Sequence, residues 1–375
     1  MKSRLLLYGV DHYAGGLISR RAAEKGFAHI AAGHDIARVA ILANELSRNT
    51  PNLVEPRIFG LGDKVRLAGQ LDDVAVVVNC SPQITEVAPA LMEACLGTRT
   101  HYIDLDMECL ETRQEFDLDS ETRLRGISLI PGASFGVSAA EAMVARLATM
   151  CPSATHLTIA VSRSPYTREE ARSLVAACRV PGQILKNGTM VKANAADRAI
   201  NIDFGHGPTV AHLAPWRSES FVAARLGPFK NVESFEVFPP ALVRAVTKSG
   251  WRRWMFRRGM RLAALERKIS GRLEGPTPRQ LAKTSCVIWG EARSADGRIS
   301  RARLETPAAP VYTAAATLAL ARALMDGKMA PGVHFPSQVA GAALIENIEG
   351  VHWRELPDVS EVNQMPAALT HPAAG

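Results

Sequence analysis

The sequence predicts an α/β protein whose first part is a doubly wound parallel sheet and whose second part is an α+β domain with a mixed or antiparallel sheet. Three observations carry this. The first 130 residues alternate short apolar runs with segments of helical spacing. One run, Val74-Ala75-Val76-Val77-Val78, is apolar on both faces, as a central strand covered by helices on each side must be. After Pro131, strand-like runs outnumber helices and hairpin dipeptides occur between them. The βαβ succession in the first part is that of a Rossmann-type domain.

Taken in order, Arg4–Tyr8 is an apolar strand, and a glycine-bearing turn leads into a helix from about Gly15 to Lys25. Phe27–Ala32 is the second strand, and Ile36–Leu46 has helical spacing. After Val74–Val78 come a helix over Pro89–Leu96, a strand over His101–Leu105 and another over Ile127–Ile130. In the second part, Leu157–Val161, the stretches around Asn201 and Val210, Ser234–Val237 and Ser285–Ile288 read as strands. Lys186-Asn187-Gly188-Thr189 and Ala295-Asp296-Gly297-Arg298 read as hairpin turns, because Asn-Gly and Asp-Gly accept the positive φ that such turns need. An alanine-rich helix spans Thr313–Met325 and stops at Gly327; Pro366–Gly375 is a tail. The expected domains are 1–130 for dinucleotide binding and 131–330 for substrate and dimerisation. A segment 331–365 is expected to pack back on the first domain, and the assembly to be a homodimer.

The 375 residues are 47 % hydrophobic, enough to bury a core, which excludes a disordered chain and a small disulfide-stapled fold. The formal charge of +7 is concentrated rather than spread. Between Ala241 and Gly275 there are ten basic residues against two acidic ones, a local +8 that leaves the remainder at −1. A general affinity for nucleic acid therefore loses its electrostatic basis, and no nucleic-acid-binding module is present. Within the segment, Trp251, Trp254, Met255, Leu262, Leu265, Ile269 and Leu273 recur at spacings of three and four, the pattern of a basic amphipathic helix. Three readings fit it: a core-facing helix with a solvated arginine face, a dock for a carrier-bound substrate, or a peripheral contact with an anionic membrane. Six cysteines stand singly beside apolar residues and read as buried reduced thiols. With no leader-like start and no spanning run, the expected compartment is the cytoplasm.

The turn after the first strand, Gly9-Val10-Asp11-His12-Tyr13-Ala14-Gly15, lies where a dinucleotide fold holds a pyrophosphate. Gly9 and Gly15 fit the outer positions of a Gly-x-x-Gly-x-x-Gly pattern. His12 occupies the middle one, and Asp11 adds negative charge beside it. At the end of the second strand, Gly33-His34-Asp35 offers an acidic residue for ribose hydroxyls, which favours NAD over NADP. The alternatives are a scaffold that no longer binds a dinucleotide, or a His12 that turns aside or donates to the pyrophosphate.

The chain resembles the saccharopine dehydrogenase-like oxidoreductases, in the branch that includes trans-acting enoyl reductases, over nearly its whole length. The motifs that carry the resemblance are Gly9–Gly15, Val78-Asn79-Cys80-Ser81-Pro82 and Thr100-His101-Tyr102-Ile103-Asp104-Leu105-Asp106-Met107-Glu108. Gly275-Pro276-Thr277-Pro278, Val287–Arg293 and Pro331-Gly332 add to them. The departures fall at the carboxyl ends of strands: His12, His34, Ser81, Asp106-Met107, Ser134-Phe135-Gly136 and Glu141. Scaffold positions persist while crevice positions differ, which points to a repurposed crevice.

The resemblance implies NAD or NADP as cofactor, held by Gly9, Asp11, His12, Tyr13, Gly15, His34, Asp35, Asn79, Ser81 and Pro82. It implies hydride transfer to a C=C or C=N bond of an unsaturated acyl, lipid or polyketide-like intermediate, free or carrier-bound. Candidates for the proton donor are Tyr102, Asp104, Glu108 and His12, with Tyr13 beside them. Asp104 reads equally as a cap or ribose contact, and Glu108 as an ion-pair partner. The alternatives are a non-redox isomerase, dehydratase or cyclase on the same scaffold, and an inactive partner subunit. The remaining histidines show no metal-ligand spacing, and no metal is expected.

Overall fold

The computed structural model describes residues 2–49, 53–105, 118–246, 251–271, 274–339 and 345–357, with backbone only for 49 and 251–259. Glu108, the Asp106-Met107 pair, Cys109 and the expected tail lie outside the described residues. The chain divides into two compact units. The first comprises Met1–Ala142, Thr277–Lys283 and Pro307–Val351; the second comprises Met143–Pro276, Thr284–Thr306 and His352–Gly375.

In the first unit the order is β1 (Arg4–Tyr8), α1 (Tyr13–Glu24), β2 (His29–Ala32), α2 (Ile36–Asn49), β3 (Val54–Arg57) and α3 (Lys64–Gly69). There follow β4 (Val74–Asn79), α4 (Ile84–Thr98), β5 (His101–Asp104), α5 (Asp119–Arg125) and β6 (Ser128–Ile130). A π-helical turn, Phe135–Ala139, then runs into α6 (Ala140–Met150). The strands pair in parallel in the order β3-β2-β1-β4-β5-β6, extended past β6 by the two-residue strand Gly332–Val333. This is a doubly wound sheet whose order reverses between β1 and β4, the place where such sheets open a crevice.

Strand alternation explains the two layers of helices. Leu5, Leu7, Val76, Val78 and Ile103 face Ile18 and Ala22 of α1, Val39 and Leu42 of α2, and Leu318 and Ala321 of the helix Ala309–Met325. Leu6, Tyr8, Ile30, Val77 and Tyr102 face Leu67 of α3 and Leu91 and Cys95 of α4. Each such side chain contributes roughly 1.5–3 kcal/mol on burial, so strands covered on both faces need apolar residues at every position. β3 escaped the sequence reading because Val54-Glu55-Pro56-Arg57 is a polar edge strand with a proline, which only an edge tolerates. α4 starts at Ile84 rather than at Pro89, which sits inside the helix.

The structure differs from the expected boundary at 330. The helix Ala309–Met325 and the strand Gly332–Val333 complete the first unit, not the second. Small side chains let that helix pack closely on α1, a relationship that position in the sequence does not show.

The second unit contains β7 (Ala154–Ser162), α7 (Arg168–Ala177), β8 (Gly182–Lys186), β9 (Thr189–Ala193), β10 (Ala199–Asp203) and β11 (Pro208–Leu213). These precede α8 (Glu219–Leu226), β12 (Asn231–Glu236), α9 (Pro240–Val246), α10 (Trp251–Ser270), β13 (Ser285–Ser294) and β14 (Ile299–Pro307). The sheet is mixed, in the order β10-β11-β12-β7-β13-β14 and then the last strand, His352–Leu356; β8 joins β12 and carries β9. β12 and β7 are parallel, while β13 and β7 are antiparallel. The β8–β9 hairpin turns on Asn187 (φ 50) and Gly188 (φ 76), the left-handed pair that the dipeptide promises.

Part of the basic segment is core-facing. Leu262 and Ile269 of α10 pack with Leu174, Val175, Leu242 and Val246, with Leu265 half-buried beside them. Arg261, Arg267 and Lys268 stay exposed. In the same unit a charge network is buried. Glu236 accepts from Arg163 Nε at 2.8 Å, from Arg217 Nη1 at 3.2 Å and from the Tyr166 hydroxyl at 2.9 Å. Arg217 also bonds Glu219 at 2.7 Å. The five described cysteines, Cys80, Cys95, Cys151, Cys178 and Cys286, are buried thiols outside any disulfide. Among the described residues no helix is long and apolar enough to cross a membrane, and no group of three or more His, Cys, Asp or Glu side chains converges as a metal site.

Candidate functional site

The carboxyl ends of β1, β2, β4 and β5 lie side by side in the first unit, in register at Tyr8, Ala32, Asn79 and Asp104. The turn after β1 is fastened to both neighbours. Gly9 N and Val10 N donate to Ala32 O at 2.7 and 3.1 Å, and Cys80 N donates to Tyr8 O at 2.7 Å. Gly9 has φ +90, and a Cβ on it would lie 2.8 Å from Ser81 N. A Cβ on Gly15 would lie 2.2 Å from Gly9 O. Both outer glycines are thus required by close backbone approach, whether or not a ligand binds.

His12, at the middle position of the pattern, is under no such constraint. Its backbone is extended (φ −105, ψ 162), it is the N-cap residue of α1, and its N–H donates to Gly9 O at 3.1 Å. Its half-buried side chain makes no capping hydrogen bond to the first turn of α1. Tyr13 is also half-buried, at the first position of the helix.

Asp11 stands in the same turn. Its side chain turns to the β2–α2 connection. There Oδ2 accepts from His34 N at 3.0 Å and from Asp35 N at 2.8 Å. Asp11 is 6 % exposed, and its Oδ1 has no hydrogen-bond partner among the described residues. Gly33 makes the room, since a Cβ there would stand 2.2 Å from Asp11 Oδ1. His34 and Asp35 are exposed; Asp35 Oδ1 accepts from Arg38 N at 3.1 Å and so caps the start of α2.

At the end of β4, Asn79 is fully buried. Its Nδ2 donates to the Tyr102 hydroxyl at 3.1 Å, and its Oδ1 accepts from Ser81 N at 3.1 Å. Ser81 Oγ accepts in turn from Gln83 N at 3.3 Å, and Pro82 is exposed. Tyr102 is 0 % exposed within the core layer under α4, so its hydroxyl ties β5 to β4 and does not open to a substrate. Asp104 is likewise buried, with Oδ1 accepting from Gly132 N at 3.0 Å and its carbonyl from Ala133 N at 2.8 Å. It holds the chain that leaves β6. Tyr102 and Asp104, both expected as candidate proton donors, are thus buried and hydrogen-bonded to neighbouring chain segments.

A polar cluster follows β6. Phe135 N donates to Thr313 Oγ1 at 3.0 Å, and the Phe135 ring meets Tyr312 edge-on at 5.7 Å. Ser138 Oγ lies 3.4 Å from the Tyr312 hydroxyl. Glu141, 1 % exposed, accepts from Ser337 N at 2.9 Å through Oε2, while Oε1 has no partner among the described residues. Burial pushes the Glu141 carboxyl well above its ordinary range. The sequence signal was present in Ser134-Phe135-Gly136 and Glu141, but Ser337 is too distant along the chain for the pairing to be read.

No protein-family model matches the sequence, and no curated protein matches it. Among solved structures, apo saccharopine dehydrogenase (L-Glu forming) from Saccharomyces cerevisiae aligns over 95 % of this chain and 100 % of its own, at 12 % identity and a TM-score of 0.63. Serine dehydrogenase from Escherichia coli covers 34 % of this chain and 80 % of its own, at 12 % identity and a TM-score of 0.26. AtPrR2 with NADP+ and (+)pinoresinol covers 43 % and 59 %, at 14 % identity and a TM-score of 0.28. These two partial likenesses carry no weight here. The full-length likeness does: the chain has the fold of saccharopine dehydrogenase, a parallel Rossmann-type sheet and a second unit built on a mixed sheet.

Proposed function

We propose that the protein is an oxidoreductase that binds a nicotinamide dinucleotide at the β1–α1 turn and reduces a C=C or C=N bond of an unsaturated acyl or imine substrate. The observation that supports this best is the turn itself, placed where the strand order reverses. Gly9 and Gly15 keep their close approaches, and His12, the N-cap residue of α1, makes no side-chain capping hydrogen bond. Asp11, whose charge would have opposed a pyrophosphate, is turned to the β2–α2 connection. The residues present therefore fit the group.

When bound, the dinucleotide supplies the hydride. The amide groups at the start of α1 would face its pyrophosphate, with His12 at the mouth of the turn. Asp35 would reach the ribose at the end of β2, and Ser81 and Pro82 would border the crevice after β4. Tyr102, Asn79 and Asp104 hold the strand ends in register. Among the described candidates His12 and Tyr13 retain solvent contact, which supports them as the proton donor in this reading; a positioned acid contributes about 10²–10⁴-fold in such steps. The enoyl-reductase-like substrate rests on the sequence resemblance, and the fold is compatible with it.

Titration of the purified protein with NADH and with NADPH, followed by nicotinamide fluorescence, tests the reading. Saturable binding of one of them is expected, and no binding of either at millimolar concentration sinks it. His12 at the middle of the turn is the observation that favours the other reading, a non-redox acid–base enzyme. Turnover of an unsaturated substrate without any cofactor would select that one.

A further inference from the structure

The Asp11 carboxylate occupies the two backbone amides at which an anion would settle on the β2–α2 connection. In a doubly wound dinucleotide domain this connection meets the adenosine ribose, and a 2′-phosphate there is met by positive charge or free donors. Here the donors His34 N and Asp35 N are both engaged by one buried carboxylate. The room for it comes from Gly33, whose hydrogen faces Asp11 Oδ1 where any side chain would collide. Asp35, the acidic residue in the usual place, spends one carboxylate oxygen on Arg38 N.

We infer that Asp11, from the glycine turn, is the residue that sets cofactor specificity: it denies the β2–α2 connection to a 2′-phosphate and restricts the site to dinucleotides that lack one. An incoming 2′-phosphate meets no free amide at His34 or Asp35 and is repelled by the carboxylate that holds them. The inference rests on the dinucleotide reading but can be tested apart from it. It assigns to Asp11 the denial of 2′-phosphate that position alone would assign to Asp35.

The test uses fragments as well as whole cofactors. Adenosine 2′,5′-bisphosphate and 5′-AMP are titrated by calorimetry into the wild-type protein, Asp11→Ser and Asp11→Asn, alongside NADH and NADPH. Thermal unfolding checks that each variant is folded. The wild type is expected to bind NADH at least tenfold more tightly than NADPH, and 5′-AMP more tightly than the bisphosphate. Asp11→Ser frees both amides and removes the charge, so its affinity for the bisphosphate and for NADPH should rise tenfold or more. Asp11→Asn keeps an acceptor without the charge and should show a smaller rise; it also serves if the serine variant does not fold. A wild type that binds NADPH as tightly as NADH overturns the inference. So does a folded variant whose bisphosphate affinity stays within twofold of wild type. Absence of NADH and NADPH binding in the wild type sinks the dinucleotide reading alone. The bisphosphate arm then decides Asp11: a gain in Asp11→Ser supports the inference, and no gain overturns it.

Discussion

Gly33 and Asp11 share one space: a Cβ on residue 33 would lie 2.2 Å from Asp11 Oδ1 and 2.7 Å from its Cγ. The carboxylate cannot retreat without leaving the amides of His34 and Asp35. Gly33→Ala is therefore expected to cost about 1–3 kcal/mol, read as a lowered denaturant midpoint. In Asp11→Ser the same substitution should cost clearly less, because the colliding atoms are gone; additive effects in the double-mutant cycle would contradict the shared space.

His12 is the one position of the glycine pattern at which the backbone demands nothing. His12→Gly should tighten NADH binding several-fold by clearing the mouth of the turn, at a stability cost of a few tenths of a kcal/mol to about 1 kcal/mol for the added chain freedom. Calorimetry decides it. Weaker binding instead would show the imidazole to be a phosphate ligand.

Glu141 gives the first unit a pH signature. Its carboxyl is pushed up by burial, so the native protein holds a proton that the unfolded chain releases near pH ~4.3. The native state binds more protons than the unfolded one above that pH, so this contribution is fully present below it and is lost as pH rises toward the native value. Glu141→Gln abolishes the titration and can keep the acceptor for Ser337 N. The stability of Glu141→Gln relative to wild type should grow with pH from about 4.3, by no more than about 1.4 kcal/mol per pH unit. Urea midpoints measured between acid and neutral pH supply the test, and parallel curves would contradict it.

The opposite sign belongs to Glu236 in the second unit. Burial alone would push its carboxyl up, but the Arg163 and Arg217 guanidiniums beside it more than reverse this and hold it below its ordinary value. Its contribution is present above the unfolded value and is lost as pH falls through the lower native one. Glu236→Ala leaves two buried guanidiniums with one carboxylate fewer and is expected to destabilise by roughly 3–5 kcal/mol. A loss under 1 kcal/mol in urea unfolding at neutral pH would show the network to be dispensable.

Much of the fold was legible because it rests on local pattern. Val74–Val78 could only be a strand covered on both faces, and Asn187-Gly188 could only be a tight hairpin turn. Gly9 and Gly15 marked the turn at the crevice, and the structure shows why they are glycine. What stayed hidden was weak in pattern, such as the edge strand β3 or the two residues Gly332–Val333.

The sequence by itself determined the parallel sheet, the second sheet and the concentration of charge between 241 and 275. These follow from periodicity, turn chemistry and composition, which act between near neighbours. Only the tertiary structure decided what the polar residues do. Asp11 turned to amides more than twenty residues away, Tyr102 and Asp104 became buried ties between strands, and Glu141 found Ser337 across nearly two hundred residues. A side chain's hydrogen-bond partner is set by which backbone groups the packed elements bring within about 3 Å, and a burial that raises or lowers a carboxyl is a property of the packed surroundings, not of the residue type.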